Sequence, residues 1–173
     1  GSSNSGLATY RELMKNIAAK SSPDGGALPV ILGKWFTAIG AELEADGISQ
    51  TSEMYTREFG QRIMKNLREL ESDVGGFDFA SVLREYYIGW RDDDDMKQSA
   101  CLKWLRGEYS TKTEAKNDLG VNVIITDDNW YDYIKLLTAF FVAAGYKGFV
   151  IMIDELVNIM KIPHSVTRQY NYE

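Results

Sequence analysis

The sequence predicts a mainly α-helical fold with a minor β part. Along most of the chain, apolar residues recur every three to four positions, the spacing that buries one face of a helix. One run, 149–153, has five consecutive large apolar residues instead, which is typical of a strand covered on both faces. The 173 residues are enough for one domain with a proper core.

Composition excludes several classes of protein. Hydrophobic content of 45% and charged content of 25% are ordinary for a globular protein. The net charge of −6 argues against a large nucleic-acid surface but leaves a local basic patch open. No apolar run approaches the roughly 20 residues of a membrane span, so we expect no membrane partner. A single cysteine, Cys101, fits a reducing cytoplasm and is predicted to be a core residue.

Three helices are predicted in the first half of the chain. Thr9 with Glu12 matches a capping box, Pro29 suits the first turn of a second helix, and Thr51 or Ser52 should begin a third. The apolar positions of these helices are Tyr10, Leu13, Met14, Ile17 and Ala18, then Ile31, Leu32, Trp35, Ile39 and Leu43, then Tyr55, Phe59, Ile63, Leu67 and Leu70.

Five further elements follow before the apolar run, including a fifth helix that stops near Gly107. Asp78 should cap a fourth helix and Asp128 or Asn129 the last long one, with a short helix over 113–119. Residues 121–125 have strand composition. The positions predicted to be buried on the helices are Phe79, Val82, Leu83, Tyr86, Tyr87 and Trp90, then Met96, Cys101, Trp104 and Leu105, then Ile134, Leu136, Leu137, Phe140 and Phe141.

The predicted strand 148–153 ends on two adjacent acids, Asp154 and Glu155. Parallel sheets bind ligands beyond the carboxyl ends of their strands, so this pair matches the Walker B element of P-loop NTPases. Asp154 would hold Mg²⁺, and Glu155 would polarise the attacking water. The simpler alternative is that the two acids merely begin the next helix, over 155–161.

A phosphate loop to match this element is missing from the sequence. The only Gly-Lys pair, Gly33-Lys34, is followed by Trp35 inside a helical stripe. A central strand also needs neighbours on both sides, and the chain offers only 121–125 and 165–170 as weak candidates. We therefore expect a truncated piece: a helical section over 1–110 and a partial P-loop core over 111–173, completed by other sequence or by another copy.

Other polar residues have simpler interpretations. The acids Asp92 to Asp95 favour a helix N-terminus over a calcium or magnesium loop, because they lack the alternate spacing of such loops. His164 is the sole histidine, which leaves little material for a zinc site or a catalytic triad. Arg168 follows the acid pair by 14 positions and is either a phosphate contact or a surface arginine.

Several segments together resemble a known family. They are the stretch 144–156 with its acid pair, the segment Lys103-Trp104-Leu105-Arg106-Gly107-Glu108, and the ending Arg168-Gln169-Tyr170-Asn171-Tyr172-Glu173. These resemble bacterial P-loop proteins, formerly a domain of unknown function, that act as ATP-binding components of bacteriophage-exclusion (BREX) defence systems. The resemblance covers chiefly residues 100–173.

The resemblance implies an AAA-like P-loop ATPase that uses ATP and Mg²⁺ in the intact protein. Asp154 would be the metal ligand, Glu155 the catalytic residue and Arg168 a cofactor contact. Without the phosphate loop, we expect these residues alone to bind neither ligand tightly. The expected partners are the remainder of the chain, a homo-oligomer or a DNA-associated defence complex. The alternative function is a helical protein-interaction module without catalysis.

Overall fold

The structure is a computed structural model that describes residues 5–17, 26–68, 70 and 78–145. Over these residues the chain forms seven helices and no strand, which confirms the mainly α-helical prediction. The helices are α1 Gly6–Asn16, α2 Leu28–Ala45, α3 Tyr55–Arg68, α4 Asp78–Arg91, α5 Asp95–Leu105, α6 Lys112–Leu119 and α7 Trp130–Ala143. The predicted strands 148–153 and 165–170 and the helix 155–161 lie outside the described residues.

Two helix starts differ from the sequence prediction. The side chain of Ser5 caps α1 by accepting a hydrogen bond from the backbone N–H of Ala8, so Thr9 and Glu12 lie inside the helix rather than in a capping box. Ser52 does not begin α3. Its hydroxyl accepts a hydrogen bond from the N–H of Met54 at 3.2 Å, within the turn that precedes the helix. At the start of α1 and of α3, the sequence offers more than one residue that could cap the helix. The backbone turn before each helix determines which residue is used.

Aromatic rings pack α2, α3 and α4 together. The rings of Phe59 and Tyr87 are stacked with centroids 3.7 Å apart and planes 2° from parallel. Phe36 of α2 contacts both, at 6.0 Å and 5.4 Å between centroids. The side chain of Arg84 of α4 lies over Gly60 of α3, since a Cβ at this position would be in ordinary contact with its Cδ at 3.4 Å. α7 joins this core through Phe140, which meets Trp35 edge to face at 4.9 Å.

Hydrogen bonds to distant backbone carbonyls join α1 to the end of α5, and α5 to the segment before α7. Tyr10 donates its hydroxyl proton to the carbonyl of Leu105 at 2.5 Å, and Arg11 donates to that of Gly107 at 2.6 Å. The indole N–H of Trp104 donates to the carbonyl of Val123 at 2.8 Å. These bonds fix the ends of elements that are far apart in sequence.

Residues 121–125, predicted as a strand, are irregular in the structure. Val121, Ile124 and Ile125 are nevertheless buried, so their β-type composition reflects burial rather than sheet pairing. Asn129 occupies the N-cap position of α7 but does not cap it. Its side-chain amide instead bridges the preceding turn, donating to the carbonyl of Ile124 at 2.9 Å and accepting from the N–H of Thr126 at 2.7 Å.

Burial confirms most of the predicted core and corrects two positions. Cys101, Tyr86 and Tyr87 are buried as expected. Trp90 and Met96 are not core residues, since 41% and 85% of their surfaces are exposed. Both lie near the ends of their helices, Trp90 in the last turn of α4 and Met96 in the first turn of α5. No helix among the described residues combines the length and the apolarity that crossing a membrane requires.

Candidate functional site

The predicted nucleotide-site residues, Asp154, Glu155 and Arg168, lie outside the described residues, so their roles remain predictions. The structure does describe the helix that precedes them. α7 is closed by Gly145, whose φ of 93° is in the left-handed region that glycine tolerates best. The apolar helix expected ahead of the acid pair is therefore present, with the predicted end.

α7 is buried on most of its surface. Its buried residues are Trp130, Tyr133, Ile134, Leu136, Leu137, Phe140 and Phe141. Near its end, a cavity of about 410 Å³ lies against α2 and is lined mainly by apolar side chains, including Trp35, Ile39 and Leu70. Lys34, Lys65 and Glu42 also line it, so the cavity combines apolar and charged side chains where α2, α3 and α7 meet.

Gly33 and Lys34 are not part of a phosphate loop. Both lie inside α2, and the carbonyl of Gly33 accepts a hydrogen bond from the hydroxyl of Thr37 at 3.0 Å. Backbone N–H groups in the middle of a helix are already bonded within it, so they cannot surround a phosphate. The sequence interpretation of this pair is confirmed.

The acidic run before α5 has a structural role. The carboxylate of Asp94 caps the helix by accepting a hydrogen bond from the N–H of Lys97 at 3.0 Å. The Arg91 guanidinium donates to both oxygens of Asp92, at 2.8 Å and 3.0 Å, and this bond lowers the pKa of that carboxyl. Among the described residues, no group of three metal-ligating side chains is found, and the helix-start interpretation is confirmed.

Cys101 has no nucleophilic character in this setting. Burial raises the pKa of its thiol from an ordinary 9.0 to about 12, with a smaller contribution from the negative charge of Glu85. Since the thiolate is the reactive form, the side chain stays an inert core thiol at neutral pH. Its predicted core role is confirmed.

The sequence interpretation missed a basic groove between α3 and α4. It has a volume of about 730 Å³, and four cations line it: Arg57, Lys65 and Arg68 of α3 and Arg84 of α4. None of the described residues that line it is acidic. The spacing of 8 and 11 positions after Arg57 places the α3 cations on one side of the helix, and this periodicity was the available signal.

Comparison with known proteins identifies a family. No curated protein and no solved structure matches the chain. A family model described as "BREX system ATP-binding protein BrxC/D" matches residues 1–173, which is the entire sequence. This match confirms the resemblance seen in the sequence and extends it beyond residues 100–173. The chain belongs to the family of BREX system ATP-binding proteins BrxC/D.

Proposed function

We propose that the chain contributes the Walker B element of a P-loop ATPase in a phage-defence complex. The observation that supports this most is the apolar run 149–153 followed directly by Asp154 and Glu155, in a chain whose family is described as ATP-binding. In this proposal the run is the central strand of a parallel sheet, and the acid pair stands at its carboxyl end.

The two acids have different roles in the proposal. Carboxylate oxygens are the hard ligands that Mg²⁺ prefers, and the donor set of Asp154 and Glu155 fits that ion. Mg²⁺ bound there would neutralise charge on the triphosphate. Asp154 would hold the ion, directly or through water, while Glu155 would orient and polarise the attacking water. Arg168 would contact a phosphate of the same nucleotide, and the phosphate loop would come from elsewhere in the intact protein.

The helical section and the ATPase core would be packed directly against each other. Position 110 is the proposed division between them, and hydrogen bonds cross it: Trp104 donates to Val123, and the N–H of Leu7 donates to the carboxylate of Asp127 at 2.8 Å. A nucleotide-driven movement beyond α7 would therefore reach α1 and α5 through fixed contacts. We propose that this movement changes the assembly of the defence complex, which acts on DNA and contains further copies of the chain.

ATP turnover by the intact protein tests the catalytic role. Glu155→Gln keeps the size of the side chain and removes its charge, so turnover should fall about 10²-fold or more while ATP binding is retained. The matched control is Glu53→Gln, the same change at an exposed glutamate, which should leave turnover unaltered. Unchanged turnover in Glu155→Gln would remove the assignment and favour a non-catalytic interaction module.

Asp154→Asn tests the metal role separately. Removing the negative ligand should raise the Mg²⁺ concentration needed for half-maximal turnover, because magnesium binds through few protein ligands. Titration of turnover with Mg²⁺ in Asp154→Asn and in the unmodified protein gives the comparison. An identical Mg²⁺ dependence would contradict the role proposed for Asp154.

A further inference from the structure

We infer that the basic groove between α3 and α4 binds the phosphate backbone of single-stranded nucleic acid. The inference does not depend on ATP hydrolysis, since it concerns a surface of the helical section alone. The groove contains four cations, which we call the groove cations: Arg57, Lys65, Arg68 and Arg84. In a chain with a net charge of −6, this is a local concentration of positive charge with no described acid in its lining.

The groove cations are available to a ligand. All four are exposed, and none of them forms an ion pair with a described residue. Some other charges on these helices are paired: Arg62 of α3 with Glu42 at 3.1 Å and Asp46 at 2.6 Å, and Glu85 of α4 with Lys97 at 3.1 Å. Exposed cations without an ion-pair partner in the described part of the chain create a positive field that attracts anions.

The length of the groove favours a chain of phosphates over a single phosphate. Arg57 and Arg68 are 11 positions apart on one helix, which corresponds to about 16 Å along its axis. One phosphate ion cannot contact both ends of such a row. A nucleic-acid strand can, because it carries a phosphate about every 3.4 Å of helix axis in a B-form duplex and extends further when single.

An exposed aromatic ring at one end favours a single strand over a duplex. Trp90 is 41% exposed and lines a second cavity, of about 660 Å³, together with Arg91. Thr56 and Tyr87 line both cavities, so the two are adjacent. Unpaired bases stack on exposed aromatic side chains next to a cationic groove, whereas the bases of a duplex are already stacked on each other.

Fluorescence anisotropy with a labelled 20-nucleotide oligothymidine tests the inference on the 173-residue chain. The Arg57→Glu/Arg84→Glu double variant should weaken binding at least tenfold. The matched control is Lys112→Glu/Lys116→Glu, which makes the same change in net charge at exposed lysines of α6 and should weaken binding less than threefold. A far-UV melting curve of each variant monitors folding, and Arg57→Gln/Arg84→Gln provides a milder second variant.

Two further measurements test whether the groove binds phosphates and whether Trp90 stacks on a base. The logarithm of the association constant should fall with the logarithm of salt concentration, and the slope should become shallower by about 1 to 2 in Arg57→Gln/Arg84→Gln. Trp90→Ala should weaken binding of the oligothymidine about fivefold or more, because a stacking contact is lost.

Several results would overturn the inference. They are no binding by the unmodified chain, an equal loss in the α6 control, and displacement of the oligothymidine by millimolar inorganic phosphate. Tighter binding of a 20-base-pair duplex than of the single strand would overturn the preference for single strands.

Discussion

The helical section is held together in two different ways at its two ends. α2, α3 and α4 meet through aromatic rings, with the Phe59–Tyr87 stack at their centre. α1, α5 and the segment before α7 meet through side chains that donate to distant carbonyls, such as Tyr10 to Leu105. We call these the aromatic region and the polar region. Ring packing depends on shape and buried area, whereas the polar bonds depend on individual atoms being in place.

The difference matters for function because each region serves a different proposed role. The aromatic region supports the basic groove, because the Phe59–Tyr87 stack packs α3 against α4, the two walls of the groove. The polar region connects the helical section to α7, which precedes the proposed Walker B strand. We therefore expect substitutions in the aromatic region and in the polar region to change the free energy of unfolding by different amounts.

The largest effect is expected for Phe59→Ala in the aromatic region. The ring is 2% exposed and packs against Tyr87, Phe36 and Tyr55, so its removal leaves a cavity. The free energy of unfolding should fall by about 3–5 kcal/mol, measured by urea denaturation. Met54→Ala, at a side chain that is 54% exposed, should change it by less than about 0.5 kcal/mol. Equal effects at both positions would contradict the packing described.

A second effect concerns pH and Cys101, on the helix α5 that joins the two regions. With a folded pKa of about 12 against an ordinary 9.0, the thiol stays protonated in the folded chain while the unfolded chain loses the proton. The contribution of this protonation difference to the free energy of unfolding is fully present below pH 9. It declines as the pH rises towards 12. Its full size is on the order of 4 kcal/mol.

Urea denaturation at pH 8 and pH 10 measures this decline. Cys101→Ala removes the titrating group, so stability should fall less steeply with pH in that variant than in the unmodified chain. An identical pH dependence of the two would contradict burial as the cause of the raised pKa.

Tyr10→Phe tests the polar region. It removes only the hydroxyl and leaves the carbonyl of Leu105 without this buried donor, so the free energy of unfolding should fall by about 1–3 kcal/mol. Tyr55→Phe is the matched control in the aromatic region, because the partly exposed hydroxyl of Tyr55 has no hydrogen bond to a described residue. A larger loss in Tyr55→Phe would reverse the distinction between the regions.

The smallest change in stability is expected for Gly33→Ala, which is compared with the same substitution at Gly6. A Cβ at Gly33 of α2 has nothing within 4 Å, so Gly33→Ala should stabilise the chain by about 0.5–1 kcal/mol. A Cβ at Gly6 of α1 would lie 1.8 Å from Nε1 of Trp130, so Gly6→Ala should destabilise it. Thermal unfolding of the two variants shows whether each substitution raises or lowers the stability of the chain. Stabilisation by Gly6→Ala would show that α1 does not pack on Trp130 as described.

The sequence predicted the aromatic region better than the polar region. The apolar stripes of α2, α3 and α4 are periodic, so their buried faces follow from spacing alone, as at Trp35 and Tyr87. Periodicity does not show how much of a side chain stays exposed near a helix end, and Trp90 was misassigned for that reason. In the polar region, residues 121–125 were misassigned because their β-type composition satisfies burial, while Asn129 holds the backbone in a turn.

The acid pair and the basic groove also differ in how far they could be predicted from the sequence. Asp154 and Glu155 are adjacent in sequence and follow one strand pattern, so a local motif was enough to propose them. The groove cations belong to two helices, and Arg84 joins the others only because α4 packs across α3 at Gly60. Such a site depends on tertiary contacts, which a single sequence does not reveal.

A crystal structure of the intact protein with Mg²⁺ and a non-hydrolysable ATP analogue tests the central claim most directly. We expect residues 149–153 to form an interior strand, with Mg²⁺ bound to the carboxylate of Asp154 at about 2.1 Å or through one water. We also expect the carboxylate of Glu155 to face the terminal phosphate. A helix over residues 149–153, or a nucleotide bound far from Asp154, would contradict the claim.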